Sequence, residues 1–199
     1  MGVRALYEQT LQERGYTSDA AQLRAIDALE RCENEWADYK ARRSNAVTKL
    51  LVRPPIPRGV YMWGGVGRGK SFLMDCFFQA VPLTRKTRLH FHEFMREVHR
   101  ELQELKGTPN PLQELGARIA RRFRLICFDE FHISDVTDAM ILHRLLDALF
   151  ANRVSIVTTS NFHPDALYPN GLHRERILPA IALLKDRLEV IGVDNGIDY

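Results

Sequence analysis

The sequence predicts an α/β fold: a five-stranded, mostly parallel sheet between helices, preceded by N-terminal helices. Three observations carry this. Five short apolar runs alternate with amphipathic stretches beyond residue 58, the runs are apolar at successive positions, and a cluster of glycines joins the first run to the first amphipathic stretch. Strands apolar on both faces suit a sheet covered by helices on two sides, which is the parallel arrangement.

The segments follow in chain order. Residues 1–43 read as a helical segment. Within "TSDAAQLRAIDALERCENEWADY", Leu23, Ile26, Leu29, Trp36 and Tyr39 fall on one helical stripe. Asp19 and Gln22 have capping-box spacing. Residues 44–58 contain Pro54, Pro55 and Pro57, so they read as a connector, because proline interrupts both helix and sheet. Residues 59–199 form the core. Its strands are expected at Gly59–Trp63, Arg88–Phe91, Leu125–Phe128, Ser155–Thr159 and Leu188–Val193. Its helices are expected at Lys70–Ala80, Phe94–Leu105, Thr137–Phe150 and His173–Leu184.

Composition narrows the class. A chain of 199 residues, 45% hydrophobic and 27% charged, can build one buried core. A net charge of +3 is too mild to point to nucleic acid or an acidic membrane. Cys32, Cys76 and Cys127 are scattered and form no C-x-x-C, so they read as reduced, part-buried thiols. The N-terminus has no apolar signal core, and Leu6 stands where myristoylation needs Ser or Thr. No apolar run approaches the roughly 18 residues of a membrane span. The expected compartment is the cytosol.

The glycine cluster carries the chemistry. Gly64-Gly65-Val66-Gly67-Arg68-Gly69-Lys70-Ser71 fits G-x-x-x-x-G-K-[ST], between an expected strand and an expected helix. A polyphosphate is a dense anion, held by many inward-pointing backbone N–H groups, and glycine permits that close, tight curl. The helix that starts near Lys70 adds its positive dipole end. Lys70 is expected between the β- and γ-phosphates of ATP, and the Ser71 hydroxyl on Mg²⁺, a cation that takes oxygen ligands. "LICFDEF" is a strand ending in Asp129-Glu130, and acids at a strand's carboxyl end lie beside such a loop. Asp129 is expected to complete the Mg²⁺ shell through water, and Glu130 to act as general base on a water molecule. "VSIVTTSN" is a third strand with Asn161 at its tip, placed to contact the γ-phosphate or the water. In "NGLHRERILPAI", Arg174 or Arg176 is a candidate arginine finger supplied to a neighbouring subunit, which requires head-to-tail self-association.

Other features read more plainly. His90-x-His92 is expected in a strand with both rings on one side, but nothing completes a zinc site. Phe94, Val98, Leu102 and Leu105 have core spacing. Arg118, Arg121, Arg122 and Arg124 read as a solvated helix face. Trp63 reads as sheet core. The N-terminal helices are expected to flank the base, through Gln22.

Together, "GVYMWGGVGRGKSFLMDCFF", "RLHFHEFMREVHREL", "LICFDEFHISDVTDAMIL", "TTSNFHPDALYPNGLHRERILPAI" and "VDNGIDY" resemble the ZapE-type cell-division ATPases, the bacterial branch of the AFG-one-like ATPase family. The resemblance runs from about residue 16 onward. It implies an AAA+-type P-loop NTPase module, with residues 64–71 as nucleotide loop, Asp129 and Glu130 as the Mg²⁺ and water pair, Asn161 as sensor and Arg174 or Arg176 as the trans finger. It implies ATP hydrolysis on protein assemblies, linked in bacteria to the division apparatus and its FtsZ polymer, in the cytoplasm. Ser71 stands where threonine is commoner, and His173 and Ile177 where glutamine and phenylalanine are expected. The family pattern also continues beyond "DNGIDY", so a C-terminal part is expected to be missing. Two alternatives stay open: a nucleic-acid-linked ATPase of helicase-loader type, and a nucleotide-binding module without turnover.

Overall fold

The five apolar runs pair into one parallel sheet. A computed structural model describes residues 1–67 and 69–193. The strands are β1 (Gly59–Trp63), β2 (Lys86–His90), β3 (Leu125–Asp129), β4 (Ser155–Ser160) and β5 (Leu188–Gly192), in the spatial order β2–β3–β4–β1–β5. β1 lies between β4 and β5, with Val60 beside Val157 and Glu189. All four pairings are parallel.

Both faces of the sheet are covered over its central strands β1, β3 and β4, while β2 at the edge is polar and half-buried. Helices α1 (Val3–Arg14), α2 (Ala20–Arg42) and α4 (Lys70–Ala80) cover Val60, Met62, Cys127 and Val157. Helices α5 (Phe91–Glu104), α6 (Pro111–Arg122), α7 (Val136–Ala151) and α8 (Leu178–Arg187) cover Tyr61, Ile126, Phe128 and Ile156. These alternating sets are the two faces of the same strands. Residues 1–43 thus share a core with the sheet. Gly15 at φ +66° ends α1, and the Asp19 side chain accepts a hydrogen bond from the Gln22 N–H to start α2. Of the expected α2 stripe, Ile26, Leu29, Trp36 and Tyr39 are buried, while Leu23 turns outward. In the connector, Asn45 and Thr48 form a capping box that starts the short helix α3 (Ala46–Leu51), ahead of the prolines.

Three expectations shift. β2 ends at His90 and α5 begins at Phe91, so His90 and His92 do not share a strand face. The reason is the Phe91 ring, which packs 4.1 Å from Phe131 and 5.4 Å from Phe128 as the helix turns inward. The helix expected from His173 is instead a 3₁₀ turn at Arg174–Arg176 followed by α8, which carries Pro179 in its first turn. Proline lacks the N–H that would extend a helix backward through it. Helix α6, expected only as a charged helix face around Arg118–Arg122, starts with Pro111 after Asn110 at φ +50°. Phe94, Val98 and Leu105 are buried as their spacing requires. No helix among the described residues is long and apolar enough to cross a membrane.

Candidate functional site

β1 and β4 are neighbours whose exits go to opposite faces, β1 to α4 and β4 toward α8. Such a reversal opens a crevice at the strands' carboxyl ends. The glycine loop leaves β1 there, and Asn161 leaves β4.

The loop is tied down at its start by the Gly64 N–H, which donates to the Ser160 carbonyl at 3.1 Å. Gly67 (φ +80°) and Gly69 (φ +78°) are left-handed, a conformation that costs an L-residue about 1–2 kcal/mol. A Cβ on Gly69 would lie only 2.7 Å from Gln22 Nε2, so the loop also needs glycine for space. Gly69 caps α4 without a side-chain hydrogen bond, at a helix start whose first N–H groups have no intrahelical acceptor. Lys70 Nζ donates to the carbonyls of Gly64 and Gly65, both at 2.7 Å. Arg68 lies outside the described residues.

Across the crevice, β3 delivers two acids in different ways. Asp129 is only 14% exposed, and its carboxylate is gripped by Arg88 of β2, Nε at 2.8 Å and Nη2 at 3.0 Å. Arg88 also pairs with Asp75, one turn beyond Ser71 on α4. Burial opposes the Arg88 charge, but the hydrogen bonds to Asp129 and Asp75 outweigh it and hold the guanidinium above its ordinary range. Glu130 is 72% exposed and sits at φ +55°, uncommon for a residue with a Cβ. Two anchors fix that turn: the Glu130 N–H donates to Thr159 Oγ1 at 3.1 Å, and the next residue, Phe131, is fully buried with its N–H on the Thr159 carbonyl at 2.8 Å. His90 Nδ1 lies 3.7 Å from Glu130 Oε2.

A single cavity of about 850 Å³ joins these parts. It is lined by Gly67, Gly69, Lys70, Ser71, Glu130 and Asn161. Asp129 stands behind it, under Arg88. The opposite wall is the N-terminal segment, with Arg14, Tyr16, Asp19 and Gln22. Gln22 Oε1 accepts a hydrogen bond from the Tyr7 hydroxyl at 2.7 Å, and Tyr7 stacks on Phe72 of α4 at 5.5 Å. Arg174 and Arg176 do not line this cavity; Arg174 Nη2 donates to the Asp165 carbonyl at 2.7 Å. The structure thus brings Val66, Gly67, Gly69, Lys70 and Ser71 together with Glu130 and Asn161, with Asp129 adjacent; Gly64 and Gly65 accept from Lys70 at the loop's start, and the two arginines lie outside. Sequence reasoning missed Arg88, Asp75 and Thr159. Arg88 carried no local signal, because it stands among Lys86, Thr87, Leu89 and His90 on a strand that is polar along most of its length.

The AFG1-like ATPase family model matches residues 1–199. The chain belongs to that family. It is 54% identical over 142 residues to the cell division protein ZapE of Escherichia coli K12, covering 71% of this chain and 38% of that protein. It is 41% identical over 158 residues to the Danio rerio lactation elevated protein 1 homolog B, covering 74% of this chain and 31% of that protein. The chain therefore spans well under half the length of these curated relatives. Among solved structures it resembles DnaI, with a TM-score of 0.58 at 15% identity over 89% of this chain and 84% of that one. It also resembles AMPPCP-bound DnaA from Aquifex aeolicus, with a TM-score of 0.57 at 13% identity over 91% of this chain and 49% of that one. These likenesses show the fold, a parallel-sheet P-loop NTPase.

Proposed function

We propose that this chain is the nucleotide-binding core of an AAA+-type ATPase that acts on protein assemblies, and that in bacteria it serves cell division from the cytoplasm. The observation that carries the reading is the shared cavity: an amide-rich glycine loop, a lysine and a hydroxyl face an exposed carboxylate and a neutral amide. In this reading the loop amides and Lys70 bind the phosphates of ATP. Glu130 takes a proton from water, its carboxylate held forward by the turn that Thr159 and Phe131 fix. Asn161 orients that water or the terminal phosphate by hydrogen bonding.

A magnesium ion fits the donor set. The Ser71 hydroxyl and the Asp129 carboxylate are hard oxygen ligands. Arg88 takes one contact on each Asp129 oxygen, which leaves further lone pairs on both. Ser71 would hold the ion directly and Asp129 through water. When bound, it would neutralise charge on the phosphates. Arg174 or Arg176 would act on a neighbouring copy in a head-to-tail assembly, consistent with their place outside the chain's own cavity.

The division role is supported by the 54% identity to ZapE, and the FtsZ polymer is the client the family resemblance implies. A helicase-loader reading finds less support. The arginines before β3 scatter: Arg118 and Arg121 pair with Glu114, Arg122 lies over the Phe123 ring, and Arg124 reaches backbone carbonyls. The test is ATP turnover with calorimetric binding. Lys70→Ala is expected to lose ATP affinity; Glu130→Gln is expected to keep it and lose turnover. Equal, near-zero turnover in wild type and Glu130→Gln would reduce the chain to a binding module.

A further inference from the structure

A second charged cavity lies at the other end of the sheet. It measures about 370 Å³, and Arg43, Lys49, Arg53, Arg124 and Arg153 line it with no acidic residue among its lining. None of the five forms an ion pair with any described residue. Arg124 directly precedes β3, whose far end is Asp129, so five residues at about 3.3 Å each separate the two sites.

The cations are positioned, not merely near one another. Arg43 donates from Nη1 to the Tyr39 hydroxyl and from Nη2 to the Lys49 carbonyl, both at 2.7 Å. Arg124 Nη1 donates to the carbonyls of Asn152 at 3.1 Å and Arg153 at 3.3 Å. Capping of helix ends would account for those bonds. The Nε atoms of Arg43 and Arg124 are buried without a hydrogen-bond partner, so it is their Nη groups and the exposed Lys49 and Arg53 that a ligand would meet. A buried unpaired donor costs roughly 1–3 kcal/mol, more when charged. Burial also holds the Arg124 guanidinium below its ordinary range, with repulsion from Arg85, Arg153 and Arg43 adding to the effect.

We propose that this cavity binds a phosphate-bearing anion, independently of the nucleotide site. Guanidinium forks match the geometry of phosphate oxygens, and several cations around one concavity suit a group that carries more than one negative charge. Two sources share this chemistry, a soluble polyphosphate and a phospholipid headgroup. The rim bears on the second: α3 exposes Val47 at 64%, Leu50 at 78% and Leu51 at 73%, apolar residues beside Lys49 and Arg53. Cations beside exposed leucines are the composition of an interfacial membrane contact.

The test uses the 199-residue chain carrying Lys70→Ala, which removes the lysine of the glycine loop, so that the comparison with the charge-reversed variant reads the second cavity. Inorganic tripolyphosphate is titrated calorimetrically, and sedimentation is measured with phosphatidylcholine vesicles with and without phosphatidylglycerol. At low salt we expect binding of at least one anionic probe, weakened about tenfold or more by Lys49→Glu with Arg53→Glu and weakened further by salt. Both residues are exposed, so an unchanged melting temperature shows that the pair leaves the fold intact. If Leu50→Ser with Leu51→Ser abolishes vesicle binding only, the ligand is a lipid headgroup. If tripolyphosphate binds and vesicles do not, it is a soluble anion. No binding of either probe, or equal binding by the charge-reversed variant, overturns the proposal.

Discussion

Replacing Arg88 with alanine should expose how far Asp129 depends on its partner. The substitution removes a guanidinium whose two bonds to Asp129, at 2.8 and 3.0 Å, join side chains that are 22% and 14% exposed. Breaking a fully buried ion pair by deleting one partner costs roughly 3–5 kcal/mol, and a surface pair costs about 0–1 kcal/mol. Asp129 keeps slight solvent access, so the expected loss is about 2–3 kcal/mol. The Asp75 contact adds little, because Asp75 is 63% exposed. For a chain of this size that loss lowers the melting temperature by roughly 5–10 °C. The assay is a double-mutant cycle with Asp129→Asn, read by urea melts. Once the carboxylate is neutral, deleting Arg88 should cost about 1–2 kcal/mol less. Strict additivity, or an Arg88→Ala protein that melts like wild type, would refute the reasoning.

Three further outcomes follow from the geometry. Thr159→Val keeps the shape of the side chain but removes the acceptor of the Glu130 N–H; turnover should fall about fivefold to tenfold with KM unchanged, and an unchanged kcat would show that the Glu130 turn holds without it. Gly69→Ala meets both the φ of +78° and the 2.7 Å approach to Gln22 Nε2, so ATP affinity should drop about tenfold or more in calorimetry, and wild-type affinity would contradict the close-packed loop. Burial pushes the Cys32 thiol up to about 12 and Cys76 up to about 11, against an ordinary value of 9.0. The folded state therefore keeps protons that the unfolded state releases. This stability is complete below about pH 9 and declines above it, at about 1.4 kcal/mol per pH unit for each thiol. Urea midpoints should fall more steeply above about pH 9 in wild type than in Cys32→Ala, and parallel slopes would argue against buried thiols as the cause.

The parts legible in the sequence were those whose signal is local. The glycine spacing, the apolar run before it and the acids at the end of "LICFDEF" each lie within a few residues, and the periodicity of the runs gave the sheet. Contacts between distant segments were hidden. Arg88 and Asp129 are 41 positions apart, and only the parallel pairing of β2 with β3 brings them together. The His90–His92 pair misled because an apolar run does not mark where a strand ends; the ring of Phe91, drawn into the core with Phe128 and Phe131, set that boundary. Only the arginine-rich end of α6 was legible, as a charged helix face; its start at Pro111 was not. Leu23 misled in the opposite sense, an apolar residue at helical spacing that the neighbouring helices leave uncovered.

The first helix has a double duty that reaches beyond packing. Val3 N–H donates to Glu33 at 2.7 Å, Tyr7 stacks on Phe72, and the turn after Gly15 forms a rim of the crevice. A ligand in the crevice that touches this wall is therefore expected to be coupled to the docking of the first helix. Whatever peels that helix away should empty the crevice, and whatever fills the crevice should clamp the helix, so amide exchange along residues 3–14 becomes a gauge of nucleotide hold that needs no label.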